Sequence, residues 1–300
     1  MKKNVLVLGG NHDQLEYIRE IKRKGYKIFL TDINQSCPAR PLSDKFYVCS
    51  YDDYEKLIDI SQEIYKAGSF VIFTAAAQFA QVGAAMVAEK FSITYPKVDV
   101  IKMCLNKAKF YENFTEFGLP IPSTVVIHNE SELIDQLNSK NCEFSYYLKS
   151  DFGKSPNHIY KLEHPYMDLT HINWIKDRFL RDVYLLQKEF YGDHFRVNIY
   201  PAGHSIFSFF TNEICGTEDV AHMQHIGIIG QLRRYVEFLG LSAWLIKFDV
   251  IVNQKDWVVL DIGLDPPFRM KKYLEKNGDN FSKQYVEQYL EGKISYCSYD

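Results

Sequence analysis

The chain has 300 residues and a net charge of −3, so it lacks the basic excess with which proteins hold a nucleic-acid backbone. Its 46% hydrophobic, 24% charged and 15% aromatic residues are those of a globular protein with a sizeable core, and its length fits two or three small domains. No run reaches the roughly 18 apolar residues of a membrane-spanning helix; the apolar stretch after MKK is too short for a signal peptide, and the six cysteines form no CxxC pair or zinc spacing. A soluble cytoplasmic protein with reduced thiols is expected, without nucleic-acid or membrane partners.

Residues 4–8 (NVLVL) predict a buried strand ending at Gly9-Gly10. A helix follows, with Leu15, Ile18, Ile21 and Lys22 on its stripe, and then KIFLTD as a second strand ending at Asp32. KFYVCS is a third short strand, 52–67 a helix, SFVIFTAAA another buried strand, and 78–90 a further helix. Strands alternating with helices predict a parallel sheet covered on both faces, so residues 1–95 are expected to form a small Rossmann-like α/β domain. Pro96 opens a new section. Residues 98–117 predict helices closed by Gly118, followed by the strand TVVIH and a helix capped by Asn129 with Glu132 at its third position. SYYLKS and HIYKL flank the loop SDFGKSPN; YLLQKEF is another strand, and FRVNIYPAGHSIFSFF a hairpin. Residues 212–230 show no clear period, and 231–239 are helical. WLIKFDVIV and WVVLDIGL pair as a hairpin across Asn253–Asp256, and residues 270–292 form an amphipathic helix.

The last hairpin concentrates the chemistry. Its turn pairs residues whose numbers sum to about 509 or 510, which sets Asp249 opposite or nearly opposite Asp261 on one face, with Lys247 and Ile251 beside Asp249. Facing carboxylates repel, and a divalent cation between them removes that cost; Asp265 in the following loop is a third candidate oxygen ligand. The alternative is a pair of solvated strand residues near a turn. Lys107 at a helix start, Lys149 at a strand end and Lys188 on a later strand lie in or beside apolar elements, as phosphate-binding point charges do; each taken singly reads more readily as an ordinary surface lysine. In the loop 150–157, Gly153, Lys154 and Ser155 offer backbone freedom and donors for phosphates, though GxxxxGK[ST] is absent. Gly9, Gly10 and Asn11 place amides at a helix start, and with Asp32 and Thr74 they lie at carboxyl ends of strands, where open sheets bind ligands. GxGxxG is missing, which weakens a nicotinamide-dinucleotide reading. His222 and His225 have metal-like spacing without further partners and are expected in a loop or core; Cys215 is expected to be a buried thiol.

In their order along the chain these segments resemble the ATP-grasp superfamily, near its carbamoyl-phosphate synthase large-chain-like and biotin carboxylase-like branch. LNKAKFYENFTEFGLPIPS is similar to the family's lysine–helix–"G-(I/L/V)-P-x-P" segment, with Asn106 for the usual Asp. YYLKSDFGKSPNHI resembles its lysine strand and phosphate loop, LLQKEFYGDHFRV its "QEFIxGxEFxV" hinge, and KFDVIV with WVVLDIGLDPP its metal-bearing hairpin. The resemblance implies a pre-ATP-grasp domain (1–95), a small lobe with linking helices (96–185) and a large lobe with the metal site (186–300). It implies ATP contacts from Lys107, Lys149, Gly153, Lys154, Ser155, Gln187, Lys188, Glu189, Phe190 and Asp193, and Mg²⁺ on Asp249, Asp261 and Asp265. Substrate contacts would come from Gly9, Gly10, Asn11 and Thr74, and catalytic cations from Arg196 and Arg269. Gly263 stands where the family has Asn and Asp265 where it has Arg. The activity implied is ATP-dependent joining of a small-molecule carboxylate to an amine or thiol through an acylphosphate; the alternative is an ATP-binding protein without turnover. Homodimers are common among such enzymes.

Overall fold

The computed structural model describes residues 3–75, 78–139, 145–151, 159–162, 183–199, 205–209, 227–266 and 280–292. Asn4–Leu8 (β1), Lys27–Asp32 (β2), Lys45–Val48 (β3) and Phe70–Phe73 (β4) form a parallel sheet in the order β3-β2-β1-β4. Side chains alternate across it, so one face carries Val5, Val7, Ile28 and Leu30 and the other Leu6, Leu8, Phe29 and Ile72. The first face packs on Leu15–Arg23 (α1), the second on Tyr54–Lys66 (α2) and Ala80–Lys90 (α3). Each such buried aliphatic side chain contributes about 1.5–3 kcal/mol relative to exposure. The stripe on α1 differs from expectation in one residue: Tyr17, Ile18 and Ile21 turn inward, and Lys22 stays outside, 3.0 Å from Asp44.

Val98–Leu105 (α4) and Lys107–Phe117 (α5) lead into the second sheet. Its strands Thr124–Ile127 (β5), Tyr146–Ser150 (β6), Ile159–Leu162 (β7) and Tyr184–Lys188 (β8) are antiparallel in the order β5-β8-β6-β7. Glu130–Ser139 (α6) covers it through Leu133 and Leu137. The start of α6 is capped as its sequence predicts: Asn129 Oδ1 accepts the Glu132 amide at 2.9 Å, and Glu132 reaches back to the His128 amide at 2.8 Å.

The third sheet comprises Asp193–Ile199 (β9), Ser205–Phe209 (β10), Ile246–Val252 (β11) and Trp257–Gly263 (β12) in the order β10-β9-β11-β12. Its inner face (Val197, Ile246, Phe248, Val250, Val259, Ile262) is sealed by α4, α5 and Ile228–Phe238 (α7). Two placements differ from the expected domain limits. The boundary between 185 and 186 cuts β8, which pairs with β5 and β6 of the second sheet. Phe281–Glu291 (α8) returns to the first domain: Phe281, Tyr285 and Val286 join the core under α1, and Lys24 lies 2.9 Å from Glu287. The first domain is also bonded to the third sheet, because Gln78 and Gln81 donate to the carbonyls of Ile262 and Leu264.

Candidate active site

The outward face of β9, β11 and β12 turns toward the second sheet, and two adjoining cavities lie along it. Alternation puts His194 and Arg196 of β9, and Ile251, Asp249 and Lys247 of β11, on this face. Strand β12 reaches it through a bulge. Asp249 pairs with Asp261, but Val250 pairs with Val259, so Leu260 is the extra residue. Both Leu260 and Asp261 thereby line the cleft, one in each cavity. The bulge is held from outside the hairpin: Tyr111 Oη donates to the Leu260 carbonyl at 2.6 Å, and the Val259 amide to the Pro120 carbonyl at 2.8 Å.

The first cavity, of about 250 Å³, is lined by the apolar side chains of Pro122, Ile159, Phe190, Ile251 and Leu260 and by Tyr147, Lys149, Gln187, Lys188 and His194. Burial lowers the pKa of His194, which favours a neutral imidazole there. Glu189 and Asp193, expected beside the nucleotide, do not line it. Glu189 turns to Tyr147 and Lys161, both at 3.1 Å, and Asp193 is exposed at the start of β9. Lys188 sits at this apolar end and not among the charges.

The second cavity, of about 190 Å³, is lined by Asp249, Asp261 and Asp265 together with Lys107, Arg196 and Lys247, above Cys104, Leu105 and Phe110. Lys107 is there because α5 begins at that residue, with Asn106 accepting the Lys109 amide at 2.8 Å and donating to Asp151 at 3.1 Å. Arg196 grips Asp249 with two bonds of 2.7 and 3.0 Å. Lys247 lies 2.9 Å from Asp265. Burial raises the pKa of Asp261, Lys107 pulls it back, and the charge of Asp249 pushes it up again.

Lys149 belongs to the lining of the first cavity. Its ammonium donates to Gln187 Oε1 at 2.6 Å, and Gln187 is itself held by a bond to Thr124 at 3.0 Å. Burial pushes its pKa down to about 8, against the attraction of Asp261 and with the repulsion of Lys107. Asp261 and Lys107, whose charges act on it, line the second cavity. Cys104, below them, is inert: burial lifts its thiol to about 12.

The three aspartates do not make one metal cage. Among the described residues no three His, Cys, Asp or Glu side chains gather as a metal-holding group, and Asp249 and Asp265 each carry a cationic partner. Asp261 and Asp249, paired across the hairpin, are the two carboxylates placed to share a hard cation with phosphate oxygen and water, Asp249 only by giving up a bond from Arg196.

At the first domain the expected anion site is filled from within. The Gly10 amide donates to Asp32 Oδ2 at 2.7 Å, Thr74 is buried and donates to the Leu8 carbonyl at 3.0 Å, and Asn11 caps the turn into α1 by accepting the Gln14 amide at 3.2 Å. Gly9 follows β1, its amide donating to the Thr31 carbonyl at 2.8 Å. A Cβ on Gly10 would lie 2.7 Å from the Cys37 sulfur, so that glycine is required by packing. Gly153, Lys154, Ser155, Arg269, His222, His225 and Cys215 lie outside the described residues. Sequence reasoning missed Gln78 and Phe79 as lining residues, and it set Lys247 on the charged face without giving it a role. Lys247 had a signal, since it shares the face of Asp249.

No protein-family model matches the chain, and no curated protein matches it in sequence. Solved structures do match in shape. The biotin carboxylase domain of the 2-oxoglutarate carboxylase of Hydrogenobacter thermophilus, in complex with MgADP and bicarbonate, aligns with a TM-score of 0.72 at 16% identity, covering 99% of this chain and 71% of that one. An N5-carboxyaminoimidazole synthetase of Staphylococcus aureus complexed with ADP gives 0.73 at 12% identity, covering 96% and 78%. An L-amino acid ligase of Bacillus licheniformis gives 0.72 at 15%, covering 97% and 74%. The architecture is thus a two-lobed α+β cleft behind a Rossmann-like domain. It is the ATP-grasp fold, over nearly the whole chain.

Proposed function

We propose that this protein is an ATP-dependent carboxylate–amine ligase acting through an acylphosphate. The observation that carries the reading is the polarity of the cleft. Along β11 the lining changes from apolar Ile251 to charged Asp249 and Lys247 over about 13 Å. An extended nucleoside triphosphate has the same polarity. The base would lie against Phe190, Ile251 and Leu260, and the phosphates would reach Lys149, Lys107 and the aspartates. The structural neighbours named above include complexes with ADP and MgADP, which supports a nucleotide as the ligand of this fold.

In the reaction, an oxygen of the substrate carboxylate attacks the γ-phosphorus, the bond to the ADP oxygen breaks, and an acylphosphate forms. An amine then attacks the acyl carbon, loses a proton and expels phosphate. Mg²⁺, held by Asp261 and Asp249, would neutralise phosphate charge. Lys107 and Lys149 offset the remaining charge from the opposite wall and hold the phosphate chain in line. Gln187 keeps Lys149 aimed, and the low dielectric around it strengthens its field. A further cavity of about 530 Å³ shares Phe79 and Leu105 with the charged one and is lined also by Tyr51, Tyr54, Lys102 and Lys109. It lies beyond the carboxyl ends of β3 and β4, and we assign the carboxylate substrate to it. The three described cysteines are buried free thiols, which supports a reducing, cytoplasmic setting; no helix among the described residues is long and apolar enough to cross a membrane.

A second reading, nucleotide binding without turnover, is favoured by the Arg196–Asp249 pair, which occupies both oxygens of one metal ligand. Calorimetric titration with Mg-ATP, followed by an ADP-release screen over amino acids and other small carboxylates with amines, separates the two. Binding with ADP release supports the ligase. Binding with no release under any pairing supports the second reading, and no binding removes both.

A further inference from the structure

Lys247 faces Gly263 across the β11–β12 ladder. A Cβ on residue 263 would lie 2.1 Å from Lys247 Cε, 2.8 Å from Cγ and 3.0 Å from Cδ. The lysine stem therefore runs across the bare backbone of Gly263, through the space any side chain there would fill. Its ammonium emerges in the charged cavity, 2.9 Å from Asp265 Oδ2, with only 19% and 23% of the two side chains exposed. Counted over the described lining, three carboxylates (Asp249, Asp261, Asp265) meet three cations (Lys107, Arg196, Lys247). Over this lining the protein balances its own formal charges.

We infer that Lys247 is a catalytic cation directed at the terminal phosphate, and that Asp265 is its resting partner and not a metal ligand. The inference rests on the ligase reading of the same cleft. An incoming triphosphate brings excess negative charge to a balanced site. Lys247 is the cation best placed to answer it, because its stem is long, it runs over the bare backbone of Gly263, and its ammonium rests on the carboxylate of Asp265 in the following loop. Arg196, by contrast, is fixed by two bonds to Asp249 on the neighbouring strand. Exchanging Asp265 for a phosphate oxygen keeps the ammonium paired throughout, while the Asp265 carboxylate stays in the field of Arg196. Lys247 would then supply, as an internal group, positive charge that otherwise must come from a further metal ion.

The test compares ADP with a non-hydrolysable ATP analogue, both with Mg²⁺, by calorimetry on the full chain and on Lys247→Met, Asp265→Asn and Gly263→Ala. The ratio of analogue affinity to ADP affinity isolates contact with the terminal phosphate. Lys247→Met is expected to lower that ratio about tenfold or more, the size of a charge-assisted hydrogen bond. Gly263→Ala, which obstructs the stem, lowers it in the same direction. Asp265→Asn, which releases the ammonium, raises it. A merely structural Lys247–Asp265 pair predicts equal losses for both nucleotides in both single variants, and an Asp265 that ligates metal predicts a fall in Asp265→Asn. A ratio that stays put in Lys247→Met, or that falls in Asp265→Asn, overturns the inference while leaving the ligase reading in place. Failure of the unmodified protein to bind either nucleotide removes the ligase reading itself. Should Lys247→Met not fold, the opposite signs expected for Gly263→Ala and Asp265→Asn carry the same decision.

Discussion

The carboxyl end of β1 and the outward face of the β11–β12 hairpin both offer glycine, polar side chains and an approach to a ligand, yet their groups are disposed in opposite ways. At β1 the polar atoms close on one another: the Gly10 amide on Asp32, Thr74 on Leu8, and Gln14 on the carbonyls of Leu8 and Gly9. At the hairpin, charges of both signs crowd one cavity, and burial lifts the pKa of Asp261 above its ordinary value. Mutually satisfied polar groups build architecture; charges held where solvent would suit them better mark chemistry.

The sharpest way to break this contrast is Asp261→Asn. ADP release should fall by at least about a hundredfold, the scale of losing one electrostatic stabiliser in an active site, with an unchanged circular dichroism spectrum. Turnover near that of the unmodified protein would return Asp261 to the ranks of ordinary strand residues. Lys149→Met comes next, with an expected loss of nucleotide affinity of about tenfold by calorimetry. Its second signature is a pH dependence. The folded ammonium titrates at about 8, below its usual 10.5, so its charge opposes folding below pH 8, and that opposition fades as pH rises from 8 to 10.5. The Met variant should be more stable than the parent by about 3 kcal/mol near neutrality, and the difference should vanish by about pH 10.5 in urea titrations. Phosphates favour the charged ammonium, so nucleotide binding above pH 8 should take up a proton in the parent and not in the variant.

Much of this site is legible in the sequence for a physical reason. The period of two along 246–252 and 257–263 and the Asn253–Asp256 turn are local, so they set the Asp249–Asp261 pairing without knowledge of the rest of the fold. The bulge at Leu260 is not legible, because it is held by Tyr111 and Pro120, about 140 residues away. The Arg196–Asp249 and Lys247–Asp265 pairs were hidden for related reasons: one needs the pairing of β9 with β11, and the other the open track over Gly263. Likewise an amphipathic pattern announces α8, but only tertiary packing says that it covers the first domain.

Smaller effects sharpen the other side of the comparison. Gly10→Ala should cost about 1–3 kcal/mol of stability, because its methyl group meets Cys37, with nucleotide affinity within about twofold of the parent. Thr74→Val should cost about 1 kcal/mol through the lost bond to Leu8, again read by urea titration. Large losses of nucleotide affinity in either variant would move the ligand to the first domain.

The most direct measurement is a crystal structure with a non-hydrolysable ATP analogue and Mg²⁺. The base should pack against Phe190, Ile251 and Leu260, with the terminal phosphate among Lys107, Lys247 and Asp261. An analogue seated at Gly9–Asn11, or a cleft left empty at saturating nucleotide, would contradict the account.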